Sequence, residues 1–339
     1  MRVFTGQIMQ RCAGVGAIVA MALGLSTVSV QTQDRPTVAS MADFLRAMDE
    51  LSNWGRWGPD DELGAANLIT PATRKAAAAL VTDGISVSLA HDIPQSESSG
   101  TILERVAFNI SPTGGFDRYA YTGTYHGTTH SHLDSLGCHI MWQGEGYNGQ
   151  RMEDVEAAGA CPRSHINVLK DGIFARGILY DATLLPGKAT PEGWLEPGTP
   201  ITWADLEALE EIQGVRASEG DVILLYTGRW KRRAVMGNAT GGVAGYHADV
   251  AYFLKERGVS FMGHDKSNDA QPHEIIDEVP FALHMLALVS LGVDILDNLD
   301  FERAIEVARR LNRYEFLFTT APLRIEGGMG SPVNPIATF

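Results

Sequence analysis

Three observations predict a single α/β domain. Strand and helix signals alternate along the chain instead of falling into separate blocks, which is the ordering of mixed α/β folds. The run from Asp221 to Tyr226 is continuously apolar after its first residue, as in a strand covered on both faces. Between residues 40 and 339 there is no composition break, no Ser/Gly-rich linker and no internal repeat, and a chain of 339 residues with 45% hydrophobic content can bury one large core.

The elements follow in order. After a polar linker through about Ala39, Met41 to Leu51 reads as a short helix, followed by the aromatic, Gly-rich stretch from Asn53 to Glu62. Thr70 and Pro71 form an N-cap and N1 pair for an Ala-rich helix running to Val81, which ends near Asp83-Gly84. Ile85, Val87 and Leu89 alternate with polar residues and predict a strand. Further strands are predicted near Val106 to Ile110, Tyr119 to Tyr125, Gly177 to Asp181 and Asp221 to Tyr226. Thr202 and Asp205 make a capping box for a helix through Ile212, and a second helix from Tyr246 to Arg257 stops at Gly258. Val259 to Gly263 reads as a buried strand whose end delivers the polar run His264 to Asp269. Next, Pro280 to His284 leads into the apolar segment Met285 to Val293, and then to Asp294-Ile-Leu-Asp297-Asn298-Leu299-Asp300.

Composition narrows the partners. A formal charge of -14 disfavours nucleic acid and anionic membrane surfaces, both of which reward clustered Lys and Arg, and leaves small molecules as the expected substrates. The N-terminus carries only Arg2 and Arg11 as charges, followed by an uncharged, mostly apolar stretch from Cys12 to Gln33. This predicts a secretory signal peptide over residues 1–32, with small residues near Ser26 to Val30 for cleavage, and a mature domain over residues 33–339. The expected location is periplasmic or secreted, with no membrane attachment after cleavage. As an uncleaved anchor, the apolar core from Ala13 to Val30 is short for a span of about 20 residues. Cys138 and Cys161 then remain, and three readings stand open for them: a disulfide, metal ligation by Cys138, or two buried thiols.

Four of the ten histidines fall within one short run, His126-Gly-Thr-Thr-His130-Ser-His132-Leu-Asp134-Ser-Leu-Gly-Cys-His139. In an extended segment side chains alternate between faces, so His126, His130, His132 and Asp134 would project to one side. Imidazole nitrogens with a hard carboxylate suit Zn²⁺, Mn²⁺ or Fe²⁺. On spacing alone His284 and Asp297 are weaker candidates, because a lone histidine before an apolar run is usually a core residue and an aspartate before a helix usually caps it. Trp54, Trp57 and Trp142 are candidates either for an apolar substrate pocket or for the core. There is no Gly-x-Ser-x-Gly elbow of a serine hydrolase, and Gly327-Gly-Met-Gly330 does not open a helix after a strand as a dinucleotide fingerprint would.

These residues resemble the metal-dependent cyclase family, which is similar to bacterial kynurenine formamidase, isatin hydrolase and trans-dienelactone hydrolase. The family pattern H-x-G-T-H-x-D-x-P-x-H, followed much later by a histidine and then an acidic residue before Asn-Leu, corresponds to His126 to His139, His284 and Asp297-Asn298-Leu299. Supporting matches are Asn53-Trp-Gly-Arg-Trp-Gly with Asp61-Glu62, Arg176 to Asp181, Gly220 to Gly228 and Gly263-His-Asp265, so the resemblance spans residues 50–325. Anchoring on Asp134 places His132 on the core histidine and Thr128 on the first one; His126 or His130 then reaches in from the same face. The last histidine of the pattern is displaced by one residue, so its counterpart is His139 or Cys138.

The resemblance implies a swivelling β/β/α fold, one or two divalent ions (Zn²⁺ or Mn²⁺), a homo-oligomer, and hydrolysis of a small amide, lactam or lactone by metal-bound hydroxide. The implied ligands are His126, His130, His132, Asp134, His284 and Asp297, with His139 as the proton shuttle. Two rival readings are a non-haem iron oxygenase, built on His132, Asp134 and a distant histidine, and an exported metal- or solute-binding protein without catalysis.

Overall fold

The computed structural model describes residues 35–93, 103–121, 123–127, 130–237, 242–272 and 279–339. The expected signal peptide and Thr128 lie outside them. Nine strands form one sheet in the spatial order Ser86–Ser88, Ile336–Thr338, Glu315–Thr320, Ile173–Asp181, Val222–Tyr226, Phe261–His264, Asp294–Asp297, His132–Asp134 and Gly330–Pro332. The four from Ile173–Asp181 to Asp294–Asp297 run parallel, and the flanking pairs are antiparallel. Helices connect the parallel strands, which explains why Val222–Tyr226, Phe261–His264 and Asp294–Asp297 are buried at every residue and carry apolar runs where the polar ends permit. Mixed α/β architecture is thus present as the sequence predicts.

The caps read at Thr70 and Thr202 are present, and the first helix has one that was not read from the sequence. Ser40 caps the helix Met41–Glu50 by accepting from the Asp43 amide, and that helix buries Phe44 and Ala47. Thr202 and Asp205 form the capping box of Trp203–Gln213, which closes on Gly214 in the left-handed conformation. The Thr70-Pro71 start also holds, but the helix Pro71–Ala78 ends before Val81. Its last turn tightens, with the Leu80 and Val81 amides reaching back to Ala77 and Ala78.

Three elements differ from expectation because of non-local ladders. The helix expected from Tyr246 starts only at Val250, since Gly245–Tyr246 pairs in parallel with Pro200–Ile201 and the His247 amide continues to the Ile201 carbonyl. The strand expected at Tyr119 to Tyr125 is Gly114–Tyr121, paired with Leu103–Ser111 as a separate two-stranded arm with a bulge at Val106. Asp294–Asp297 is a central strand, not a capping loop, because it has partners on both sides. Ahead of it, Ala282–His284 runs on into the π-helical turns Met285–Leu291. Among the described residues no helix is long and apolar enough to cross a membrane.

Gly263 sets the spacing in the centre of the sheet. A Cβ there would lie 2.7 Å from Leu224 Cδ2 and 3.1 Å from both Leu296 Cβ and Leu299 Cδ1. Gly263→Ala should therefore destabilise the fold by about 1–3 kcal/mol through overpacking. Thermal denaturation checks this; a midpoint equal to that of the parent would mean that the neighbouring leucines yield.

Candidate metal centre

The site forms where the carboxyl ends of the parallel strands meet the antiparallel strand His132–Asp134, the position at which open α/β sheets place their ligands. His132 pairs with Asp297, and Asp134 with Ile295. The pleat alternates faces, so His132 and Asp134 share one. On its other side the ligand strand pairs with Gly330–Pro332, which places it between two neighbours and makes it rigid.

Asp134 is the hub. Its carboxylate is 1% exposed, and two sets of potential metal donors share it: His126, Asp134 and His139, and His132, Asp134 and Asp297, with donor atoms in each set within 4.8 Å of one another. His126 Nδ1 is 2.8 Å from Asp134 Oδ1, His132 Nε2 is 3.5 Å from the same oxygen, and His139 Nε2 is 3.5 Å from Oδ2. The His126 and His139 rings stack at 4.1 Å. Burial alone would push the Asp134 carboxyl up, but His139, His132 and His126 outweigh it and hold the group well below the usual carboxylate range.

Asp297 begins the second half of the site. Its Oδ1 accepts from Asn268 Nδ2 at 2.6 Å, and its Oδ2 faces His284 Nε2 at 3.5 Å. His284 Nδ1 hydrogen-bonds Asp269, whose carboxylate also accepts the Leu283 and His284 amides. Burial disfavours the His284 cation, yet Asp269 and Asp297 raise its pKa well above the ordinary value. His139 has the opposite balance. Burial lowers its pKa, and Asp134 offsets this only in part.

These groups fit a divalent ion. His126 Nε2 and Asp134 Oδ2 are buried and lack a hydrogen-bond partner, which is costly unless a further group takes them up. His132 donates Nδ1–H to the His130 carbonyl at 2.7 Å, so Nε2 is the ring atom turned to Asp134, and the His284 ring is oriented by Asp269 in the same manner. Outer hydrogen bonds of this sort fix the tautomer of metal-binding histidines.

Two of the expected ligands, His130 and His284, lie in neither set; His284 still faces Asp297 Oδ2 at 3.5 Å, whereas His130 is placed elsewhere. Among the described residues of the histidine run only His132–Asp134 is a strand, so the alternation that was to align His126, His130 and Asp134 is not seen beyond it. His130 stacks edge-on with Tyr121 at 5.6 Å and lines a different cavity with His91 and Ser131. His126 reaches Asp134 from a loop instead. Of the three tryptophans, Trp142 packs edge-on against Phe44, Trp54 donates to the Val289 carbonyl, and Trp57 lies under Arg56. Asn268, Asp269 and Asn298 were not singled out from the sequence. Asn298 donates to the carbonyls of Gly127 at 2.6 Å and His130 at 3.3 Å, holding the loop that carries His126; its place directly after Asp297 was the available signal. Cys138 and Cys161 form a disulfide, their Cα atoms 5.8 Å apart.

Residues 84–268 match the model of the Cyclase family, described as "Putative cyclase". This span exceeds half of the chain and holds His126, His132, Asp134 and His139, but ends before His284 and Asp297. A solved structure described as a novel cyclase aligns with a TM-score of 0.71 at 27% identity, covering 85% of this chain and 100% of that one. An isatin hydrolase bound to the product analogue thioisatinate aligns with a TM-score of 0.52 at 18% identity, covering 78% and 97%. Isatin hydrolase A from Labrenzia aggregata, bound to benzyl benzoate, aligns with 0.51 at 18%, covering 75% and 94%. The two hydrolases speak to shared fold alone. No curated protein matches the chain.

Removing the hub should remove the ion. After loading with Zn²⁺ or Mn²⁺ and desalting, elemental analysis of Asp134→Ala should find little bound metal, because its loss leaves the ion's charge uncompensated. His130→Ala should keep the parental content. Full occupancy in Asp134→Ala, or loss in His130→Ala, would overturn this division of the histidine run.

Proposed function

The chain belongs to the cyclase family, and from that premise we propose that it is a metal-dependent hydrolase of a small amide, lactam or lactone. The observation that carries this reading is the sharing of one buried carboxylate, Asp134, between two sets of donors at the carboxyl ends of the parallel strands. Two structures that share this fold are described as isatin hydrolases, so cyclic amides and lactones are included among the candidate substrates to be screened. When bound, a divalent ion would polarise the substrate carbonyl and make water a competent nucleophile near neutral pH.

The chain's own groups do the rest. Asp134 and Asp297 bring carboxylate oxygens to the centre, and His126, His132 and His284 offer imidazole nitrogens. His139 is the proton carrier. Its Nε2 faces Asp134 Oδ2, its ring is partly open at 23% side-chain exposure, and burial favours its neutral form, so Nε2 can accept a proton and return it to the leaving nitrogen or oxygen. A screen of N-formyl amides, lactams, lactones and cyclic imides with Zn²⁺- and Mn²⁺-loaded protein tests the reading. Turnover under strict anaerobiosis excludes an oxygenase, and absence of any turnover favours a binding protein.

Export and self-association belong to the same proposal. A disulfide persists in oxidising compartments, in keeping with the signal-like N-terminus. The arm Leu103–Ser111 and Gly114–Tyr121 exposes Phe108, Ile110 and Phe116 by more than 60% each, and a two-stranded hairpin is marginal in water by itself. Those side chains present roughly 400 Å² of surface, a substantial part of the about 800 Å² each partner gives to a standard interface. The arm carries Glu104, Arg105, Asp117 and Arg118, so it is charge-balanced on an otherwise acidic molecule and can approach a second copy without repulsion.

Two measurements check the proposal. His139→Ala should keep most of its metal while losing roughly 10² to 10⁴ in turnover, the usual contribution of a positioned acid/base group, with both read on one sample. Metal loss in step with activity would make His139 a ligand. Native mass spectrometry of protein from its host should find a subunit that begins between about Val28 and Pro36, outside the cytoplasm and as a multimer; an intact Met1 in a cytosolic monomer counts against export and self-association alike.

A further inference from the structure

We propose that the Cys138–Cys161 disulfide is a positioning device for His139, so that proton transfer at this site depends on the oxidation state of the pair. The inference rests on the role given to His139 above. Two observations about the chain around that histidine motivate it.

The first is how little else fixes the ring. As far as Asp134 the chain is held by ladders on both sides, and Ser135 still anchors to the Met329 carbonyl through its amide at 2.9 Å and its hydroxyl at 2.8 Å. Beyond Ser135 the ladder ends. Among the described residues no side-chain hydrogen bond to His139 is found; its direct contacts are the 3.5 Å approach to Asp134 and the stacking on His126. The placement of its backbone therefore decides where Nε2 sits.

The second is the fit of the segment just before it. The Gly137 amide donates to the Ser164 carbonyl at 3.1 Å, and a Cβ on Gly137 would lie 2.1 Å from Arg163 O and 2.4 Å from Cys161 Sγ. Gly137 thus lets the chain lie flat on residues 161–164, and the disulfide locks it there, one peptide bond before His139. Cys161 is itself secured by its amide to the Gly327 carbonyl at 3.0 Å, on the segment that leads into the strand Gly330–Pro332 beside the ligand strand. A covalent link therefore connects the His139 backbone to the framework that holds Asp134. Reduction takes two electrons and two protons from a thiol reductant and yields two thiols; it breaks the only covalent tie in this loop and leaves the ligand strand intact.

The test uses the full mature protein loaded with Zn²⁺, comparing the parent, the double variant Cys138→Ala with Cys161→Ala, and the parent reduced by tris(2-carboxyethyl)phosphine until two thiols titrate. Carbethoxylation by diethyl pyrocarbonate, mapped by peptide mass, reports the freedom of each histidine without any substrate. His139 should label severalfold faster in the double variant and in the reduced parent, His247 should label at an unchanged rate, and bound zinc should stay constant. Given a substrate from the screen above, kcat should fall about 10- to 100-fold, the scale of a small misplacement of a reacting group, with KM little changed. On a His139→Ala background, removing the disulfide should cause no further loss. Unchanged His139 labelling, loss of zinc in step with the bond, or an additive loss on the His139→Ala background would each overturn the proposal. If no substrate is found, the labelling still decides it, and the hydrolase reading fails separately. Should the double variant not fold, the reduced parent gives the same comparison.

Discussion

A single buried carboxylate organises this molecule. Asp134 is almost wholly removed from water, and an isolated charge in such a place is untenable without nearby compensation. Three imidazoles supply part of it. Two of its approaches come from within its own segment, His132 two residues before and His139 five after, while His126 arrives from a loop. The stacking of His126 on His139, the unsatisfied Nε2 of His126 and the unsatisfied Oδ2 of Asp134 all trace to this convergence. A cation at the centre would satisfy all three at once.

The sheet exists, in functional terms, to hold that residue still. His132–Asp134 is only three residues long, too short to be stable alone, yet it is hydrogen-bonded on both edges. One neighbour, Asp294–Asp297, contributes Asp297 at its carboxyl end and continues the parallel series whose tight spacing depends on Gly263. Loops following the parallel strands then provide the outer contacts: Asn268 on Asp297, and Asp269 on His284. Backbone polar groups that leave a strand end must find partners, and here many of those partners are the side chains that orient the site.

Charge is distributed unevenly between the two halves of the centre. Around Asp134 there are three histidines for one carboxylate; around His284 there are two carboxylates for one histidine. The pKa values accordingly move apart, that of His284 raised by Asp269 and Asp297 against its burial, that of His139 lowered by burial. Two titratable groups pushed in opposite directions by their surroundings is the arrangement from which distinct chemical roles arise. An incoming cation would displace a proton from the first to water, while the other remains open to accept one.

What the amino-acid sequence determined by itself is whatever depends on neighbours a few residues away. The caps at Ser40, Thr70 and Thr202 are local hydrogen bonds, readable from residue types three apart. The common face of His132 and Asp134 follows from the two-residue period of any strand. Tertiary structure decided everything that needed a partner far along the chain. His126 lies at the site and His130 outside both donor sets, and Asn298, 168 residues from His130, donates its side-chain amide to the carbonyls of Gly127 and His130. Asp294–Asp297 is a strand because two other strands flank it, although its residues alone suit a capping loop equally well. Cys138 meets Cys161 because Gly137 lies flat on residues 161–164. Local periodicity fixes which way a side chain points within an element, whereas hydrogen bonds and packing between distant segments fix where that element stops and what it faces.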